Sequence, residues 1–353
     1  MRVVSFAIIG HMTEAHKQAH GRRKFKPSLC AGLAMLGALC AGDTARAQAP
    51  TVRGTMSGEI DLDLRARVAA IGSSGAKLHA TTLRLGMELA PGIRVHAYGA
   101  HRYGFFAAQE AVVEKEWGGN AGHAQVGLIR LPFGIYDPRE TYASGLIDYP
   151  MPRGDFYFHS LDWGVPGAAW SGGPPNVQVE AAGFSGRGTG IWDNQAHIHG
   201  GAARAQTYFG DAILGLSRWD GGLQDVPTSS ATHPVHMTGL DLRYTKTQLL
   251  VRSEYLFGTL AGDHTHGWYV DAYYRLPQHE HWSLVGRLER LKPGDEYAES
   301  RQLTLGVRWV ASQEWTLAAN WRHNNGLVYS PNWIPSAPKG GDVLLQAYRR
   351  LSW

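Results

Sequence analysis

The feature that most constrains this chain is an alternation of apolar and polar residues that repeats along most of its length. Between residues 60 and 65, the apolar Ile60, Leu62 and Leu64 alternate with two aspartates and an arginine. Side chains of an extended chain point to opposite faces in turn, so this pattern predicts a β-strand with one apolar and one charged face. The pattern recurs at residues 83–89, 93–98, 240–244, 249–257, 268–275, 284–289 and 302–309.

Few architectures accommodate such strands. A soluble β-sandwich also alternates, but it does not need charged residues in the middle of so many strands. In a membrane every strand edge must be paired, so strands with an apolar outer face and a polar inner face close into a barrel. No apolar run after residue 47 approaches the roughly 18 residues of a membrane-spanning helix, which excludes a helical membrane protein. We therefore predict an all-β, transmembrane antiparallel β-barrel.

The connections between the predicted strands give the expected strand number. Short turns are predicted at residues 90–92, 118–122, 172–176, 210–211, 246–247, 277–281 and 312–314, and mostly longer segments at 69–75, 104–107, 134–165, 185–198, 220–235, 259–266, 292–299 and 324–341. Short turns on one side and long loops on the other are typical of outer-membrane barrels. Seven turns and eight loops join sixteen strands. The strand at 166–171 has the weakest pattern, so fourteen or eighteen strands stay open.

We predict residues 1–47 as a cleaved signal peptide and residues 48–353 as the barrel. Basic residues at 22–26 precede an apolar run at 29–42, which is too short for a membrane anchor, and residues 45–47 form a small-x-small cleavage site. Paired arginines at 22 and 23 leave the folded-protein export route as the alternative to the unfolded route that a barrel needs.

Removing that segment changes the charge balance. The whole chain has a formal net charge of +4. The first 47 residues carry seven of its 34 Lys and Arg and two of its 30 Asp and Glu, which leaves 27 basic and 28 acidic side chains, a net charge of −1. The basic character therefore gives no argument for nucleic-acid binding. Cys30 and Cys40 also leave with the segment, which excludes cysteine catalysis and cysteine-ligated metal in the barrel.

Tryptophans near predicted strand ends indicate the membrane interfaces, where amphipathic rings form girdles. They are Trp117, Trp219, Trp268, Trp282, Trp309, Trp315 and Trp353. The last strand, residues 343–353, ends on an aromatic residue, as strands recognised by the barrel assembly machinery usually do. Arg349 interrupts its outward apolar face, so that its side chain either extends to the membrane edge or marks a β-bulge.

Several segments resemble strands of Gram-negative outer-membrane porins, most of all the phosphate-selective porin family. Residues 130–134 (RLPFG) are similar to the segment before the long third loop of porins, and residues 267–276 (GWYVDAYYRL) look like a strand of the phosphate-selective family. Residues 252–255, 286–289 and 302–306 are similar to the strands beside it. The resemblance implies a sixteen-stranded barrel in the outer membrane of a Gram-negative bacterium, often a homotrimer, with the third loop folded into the lumen.

The resemblance also implies which residues narrow the channel. The longest loop, residues 134–165, is the expected inward constriction and carries Asp137, Arg139, Glu140, Asp148, Arg153 and Asp155. Phosphate channels of this family use lysine clusters beside an arginine ladder. After residue 47 this chain has only Lys77, Lys115, Lys246, Lys292 and Lys339. That departure puts phosphate selectivity in doubt.

The charged strand faces supply the predicted pore lining. It comprises Arg65, Arg84, Arg94, Arg130, Arg243, Arg252, Arg275, Arg287, Arg308 and Arg322, with Asp241, Glu254, Asp271 and Glu289. Arginine rings favour anions and acidic rings favour cations. A lumen that has both therefore has either a transverse field or mutual ion pairs. We expect a mild anion preference because arginine occupies so many inward positions.

The sequence thus predicts a porin through which small hydrophilic solutes or anions diffuse passively, without enzymatic activity, cofactor or metal. Two alternatives stay open: an enzymatic outer-membrane barrel of the lipase or protease type, for which no nucleophile elbow is evident, and a closed structural or adhesive barrel. The expected partners are outer-membrane lipid and lipopolysaccharide, the barrel assembly machinery and further copies of the chain, but no nucleic acid. The pairs His197/His199, His264/His266 and His279/His281 are interpreted as solvated loop residues rather than metal ligands.

Overall fold

The computed structural model describes residues 56–69, 75–102, 105–118, 122–135, 144–154, 164–187, 197–224, 232–260, 262–295, 298–325 and 340–352. The predicted signal peptide lies outside these residues, as do Asp137, Arg139, Glu140, Asp155 and Trp353. Sixteen antiparallel strands form a closed barrel in which neighbours in sequence pair and the first strand pairs with the last. The predicted fold and strand number are confirmed, including the weakest strand, which spans Val165–Gly172.

The elements are β1 (Met56–Ala69), β2 (Gly75–Ala90), β3 (Ile93–Arg102), β4 (Phe105–Glu116), β5 (His123–Ile129), α1 (Met151–Gly154), β6 (Val165–Gly172), β7 (Val177–Arg187), β8 (His197–Phe209), β9 (Ala212–Gln224), β10 (Thr232–Lys246), β11 (Leu249–Leu260), β12 (Asp263–Arg275), β13 (Trp282–Lys292), β14 (Ser300–Val310), β15 (Trp315–Asn324) and β16 (Gly340–Ser352).

The connections at one end of the barrel have two to six residues, whereas those at the other end range from two residues, at 103–104 and at 261–262, to the long connection 130–164, so the longer loop predicted at 259–266 is mostly strand. At one end, which we call the turn end, residues 91–92, 117–122, 173–176, 210–211, 247–248, 276–281 and 311–314 join the strands. These connections lie where the sequence predicts short turns. In the turn before β5, Gly122 has a φ of +74°, and a Cβ there would lie 1.8 Å from the carbonyl oxygen of Ser171 on β6. Glycine is therefore required where this turn meets the sheet.

Aromatic side chains form an outward belt at the turn end. The rings of Trp282 and Trp309 stack with their centroids 5.5 Å apart. Trp315 lies 5.4 Å from the guanidinium of Arg349, which also pairs with Glu314 at 2.9 Å. The pairing of β16 with both neighbours runs without a register shift, so Arg349 extends to the barrel's edge and the alternative of a β-bulge is wrong.

Toward the opposite end, the loop end, the expected polarity of the wall is partly inverted. On β9, Trp219 faces inward and is only 1% exposed, so its placement in an outer girdle is wrong. Its neighbours Arg218 and Asp220 face outward instead. The inner wall there packs as an apolar cluster, whose members include Ile129, Leu131, Phe133, Met151, Phe184, Ile198, Trp219, Val235, Met237, Leu256 and Leu291. This cluster holds the ends of the β5–β6 connection, residues 130–164, inside the barrel.

Candidate functional site: the barrel lumen

The connection between β5 and β6 enters the lumen and is fixed on one side by a buried ion pair. Arg153 donates hydrogen bonds to Glu254 of β11, at 2.8 Å from Nε and 2.5 Å from Nη2, and a third to the Phe133 carbonyl at 2.8 Å. The backbone N–H of Ile135 donates to the same carboxylate at 3.1 Å. Both described ends of the connection are thus tied to one residue of the wall.

On the other side, Asp148 of the same connection ties it to strands across the barrel. Its carboxylate pairs with Arg322 of β15 and lies 3.6 Å from Arg65 of β1. Arg322 also forms a bidentate pair with Asp342 at 2.6 and 2.8 Å, and Arg65 pairs with Asp63 at 2.9 Å. These side chains are almost completely buried. The segment 144–154 therefore spans the lumen between β11 and the β15–β16–β1 wall.

Asparagine and glutamate side chains of the wall hold the backbone of this segment. Asn320 of β15 accepts a hydrogen bond from the Ile147 N–H and donates one to the Gly145 carbonyl, both at 2.8 Å. Glu289 of β13 accepts from the Met151 N–H and from Gln302. Sequence reasoning did not single out Asn320, although it sits at an inward position two residues before Arg322.

Most arginines of the predicted lining are neutralised by carboxylates. Arg84 pairs with Glu59, Arg94 with Glu114 and Glu116, and both Arg252 and Arg287 with Asp271. Asp241 pairs with Arg204 at 2.8 Å. These pairs match the expectation of mutual ion pairing inside the lumen. Arg130 is half-buried.

Three arginines of the predicted lining differ from the others. Arg243, Arg275 and Arg308 lie on the inner face near the turn end of β10, β12 and β14, and none forms an ion pair within the described residues. Arg243, Arg252, Asp271 and Arg287 lie directly opposite one another on consecutive strands. The β10–β14 wall near the turn end thus carries five arginines, of which Asp271 pairs with Arg252 and Arg287, while the neighbouring Asp241 pairs with Arg204 of β8.

The facing wall is acidic. Its inward positions near the turn end carry Glu59, Asp61, Glu88, Glu114, Glu116 and Glu180, against Arg84, Arg94 and, from β16, Arg350. Glu88 and Glu180 form no ion pair among the described residues, whereas Arg350 pairs with Asp61 at 3.1 Å and with Glu59 at 3.4 Å. Opposed basic and acidic walls in a narrow lumen create a transverse electric field. The sequence predicted either such a field or mutual ion pairs; the structure shows the ion pairs, and a transverse field stays a prediction.

The histidines form no metal site in the described part of the chain. No group of three or more His, Cys, Asp or Glu side chains there has an arrangement that could hold a metal ion. His264 and His266 lie in β12 rather than in a loop, and His197 and His199 begin β8, which corrects their prediction as loop residues. His279 and His281 lie in the turn before β13.

Two histidines pair with carboxylates: His96 with Glu110 at 2.5 Å and His236 with Asp220 at 2.8 Å. Neither ring hydrogen-bonds a serine or threonine hydroxyl within the described residues. The structure therefore does not assemble a serine-type catalytic set around them.

Among the described residues, no helix has the length and apolar character needed to cross a membrane.

The comparisons with known proteins bear on the fold. No protein-family model and no curated sequence matches the chain. Among solved structures, OmpT of Vibrio cholerae in its trimer form matches with a TM-score of 0.62 and 12% identity over 84% of this chain and 99% of that chain. The anion-selective porin from Comamonas acidovorans matches with 0.59 and 12% over 85% and 99%. Salmonella typhi OmpF matches with 0.62 and 8% over 84% and 97%. The chain therefore has the fold of the porin-type outer-membrane β-barrels.

Proposed function

We propose that this chain is an outer-membrane porin, a passive diffusion channel for small hydrophilic solutes with a mild preference for anions. The observation that carries the proposal is the unequal neutralisation of the lumen. Within the described residues, Arg243, Arg275 and Arg308 form no ion pair, while Glu88 and Glu180 are the inward carboxylates without an ion pair on the facing wall. Anions entering from the turn end therefore meet more uncompensated positive than negative charge, and arginine's fork suits oxyanions.

The phosphate-selective family is a poorer match for this lumen. Among the lysines that the structure describes, Lys115 lies on the exposed outer face of β4 and Lys246 at the exposed end of β10, so neither lines the lumen. We propose a general anion preference instead. It arises from arginines that line a vestibule rather than from a dedicated phosphate cage.

The proposed porin function also implies an orientation in the membrane and an oligomeric state. The turn end faces the periplasm and the loop end the cell exterior, and the chain forms a homotrimer among outer-membrane lipid and lipopolysaccharide after insertion by the barrel assembly machinery. Exposed Leu64, Val68 and Leu78 extend the apolar outer face of β1 and β2 to the loop end, where we propose that a second copy packs in place of lipid. Crosslinking of folded protein in native membranes measures the oligomeric state.

The channel is tested by reversal potentials in planar bilayers under a KCl gradient. We expect conductance and a reversal potential of the sign for chloride preference. Replacing Arg243, Arg275 and Arg308 together with glutamine should move that potential toward potassium, whereas the matched Glu88→Gln variant should move it further toward chloride. A potassium-preferring wild-type channel, or equal shifts in both variants, would contradict the proposal.

The closed barrel is the second candidate, because the buried segment 144–154 fills much of the lumen between Glu254 and Arg322. Complete absence of single-channel steps from correctly folded protein would favour it. Hydrolysis assays with ester and peptide substrates on the same preparation test the enzymatic alternative, for which we expect no turnover.

A further inference from the structure

Two opposite charges lie on the outer face of β9, at a depth where a membrane barrel is normally apolar. Arg218 and Asp220 lie six and eight residues above the turn end of the strand, and their side chains are 49% and 48% exposed. With a rise of about 3.3 Å per residue and a strand tilt of about 45°, they lie roughly 14 to 19 Å above that end. The apolar band of such barrels is about 25 Å tall and starts here at the aromatic belt of the turn end, so both charges lie within it.

Strands further along the barrel carry apolar side chains at this depth. Six residues above the turn end, the outward positions of β10, β11, β13 and β15 are Leu240, Tyr255, Leu288 and Trp321, all of which are exposed. These side chains fit lipid, so the apolar band extends at least this far above the turn end on that side of the barrel. The charges on β9 are therefore a local exception, and charged groups at membrane depth mark functional contacts.

Arg218 and Asp220 belong to a hydrogen-bonded network on the outer face. Arg218 donates to Asp220 at 2.7 Å and to Thr238 of β10 at 2.9 Å, and the Asp220 carboxylate lies 2.8 Å from Nδ1 of His236. Because these polar groups satisfy one another along the wall, a flat protein surface can cover the network without supplying further polar partners. Lipid tails would leave the exposed sides of the same groups without hydrogen-bond partners.

The outer face next to this network is flat and open. At the middle of β7 and β8, the outward positions carry small residues: Ala181, Gly183, Gly201, Ala203 and Ala205. A Cβ built at Gly183 would meet no atom within 4 Å, so no described part of this chain covers it. Small side chains let a neighbouring protein backbone approach closely within a membrane.

We propose that the outer face of β7–β9 is a contact surface for a second copy of this chain, which shields the network of Arg218, Asp220 and His236 from lipid. With the flanking strands β6 and β10, the face is about 24 Å wide and about 25 Å tall. It thus offers about 600 Å² on one copy, or about 1,200 Å² for both partners, which is enough for a specific interface. The occupant must span the membrane at the depth of the network, as a second copy does.

This inference deepens the oligomer that the proposed function includes, and it depends on that oligomer. The β7–β9 face lies apart from the contact proposed at β1 and β2. Head-to-tail contacts join two different faces of every copy, so the two contacts are compatible.

The test measures the mass of the folded full chain in detergent by light scattering at a series of protein concentrations. Gly183→Trp adds a large outward side chain where the structure leaves open space, so the barrel should fold while the contact is blocked. We expect the concentration at which half of the oligomer dissociates to rise at least about tenfold relative to wild type. The matched control is Gly286→Trp at an outward position of β13, where a Cβ would lie no closer than 3.6 Å to its neighbours. It should keep the oligomer.

A second measurement follows lipid access directly. A lipid-soluble diazirine, activated by light in vesicles, should modify β13 of the wild-type protein but leave β8 and β9 protected. In Gly183→Trp, β8 and β9 should be modified as well. If Gly183→Trp does not fold, Asp220→Asn replaces it, because it leaves the Arg218 charge without its partner inside the contact and should weaken the oligomer.

Three outcomes would overturn the proposed contact: a monomeric wild-type protein, equal effects of Gly183→Trp and Gly286→Trp on the oligomer, or equal modification of β9 and β13 in wild type. The last of these would show that lipid covers the β7–β9 face. Conductance is measured separately on the same preparation, and its absence would contradict the porin function rather than the contact.

Discussion

The buried pair between Arg153 and Glu254 allows a quantitative test of how the inner loop is held. Both side chains are fully shielded from solvent. Glu254→Gln preserves shape but leaves the Arg153 charge without its counter-charge. Breaking a buried pair from one side costs about 3–5 kcal/mol. We expect that loss in the free energy of unfolding, measured by tryptophan fluorescence in denaturant on the folded barrel.

Replacing both partners distinguishes the ion pair from mere packing. Arg153→Met combined with Glu254→Leu removes both charges and, among the described contacts, leaves the Phe133 carbonyl and the Ile135 N–H without these partners. Each unsatisfied buried group costs about 1–3 kcal/mol, but part of that is recovered by apolar contact with the neighbouring cluster. The double variant should therefore be no less stable than Glu254→Gln.

A second readout follows the loop itself. Release of the segment from β11 should raise single-channel conductance or its noise in Glu254→Gln relative to wild type. The reasoning is refuted if Glu254→Gln costs less than about 1 kcal/mol, below the range for a buried pair, or if the double variant is clearly the less stable of the two.

Three further outcomes are expected. Gly122→Ala should destabilise the barrel by more than about 1 kcal/mol because Gly122 has a positive φ and lies against β6. Gly118→Ala, where a Cβ would meet open space, should change the stability by less than about 0.5 kcal/mol. Similar losses of stability in the two variants would contradict the role of Gly122. A double-mutant cycle on Trp282 and Trp309 should give a coupling of about 0.5–1.5 kcal/mol from the stacked rings, and zero coupling would exclude the stack. Hydrogen bonds from two arginines lower the pKa of Glu299, which lies in the loop before β14. The contribution of this carboxylate to stability is therefore complete above its usual pKa and is lost as the pH falls through the lowered pKa. An NMR titration midpoint of Glu299 at or above 4.5 would contradict the lowered pKa.

The strands were predictable because period-two alternation is a local property that each strand carries by itself. Even β6, with only Ala168 and Trp170 as a clear outward pair, was identified because its neighbours require a strand between them. The strand ends were less predictable, since Gly221 or His264 continues a strand only if a partner strand reaches as far. Pairing of this kind is tertiary information and leaves no trace in one segment.

The inward position of apolar residues near the loop end could not be predicted from the sequence either, but for a different reason. Alternation tells which residues share a face, but the assignment of that face to lipid or lumen assumes that the lumen is wet. On β9 and β10 the apolar set of Trp219, Val235 and Met237 packs against Phe133 and Met151 from the inserted loop. The loop makes part of the lumen dry, and the polarity rule reverses there.

Ion selectivity also could not be predicted from the sequence, because it depends on which charged side chains remain without an ion pair in the folded barrel. The part of the chain after residue 47 is almost neutral, and its inward arginines cannot be ranked by sequence alone. In the barrel, Arg65 and Arg322 already pair with Asp63 and Asp342, and the loop brings the further carboxylate of Asp148 across the lumen to both arginines. No such partner reaches Arg275 or Arg308 among the described residues. The inserted loop therefore affects the charge of the lumen in two ways: it adds the carboxylate of Asp148 to one wall, and its Gly145 packs against the side chain of Arg308 without neutralising it.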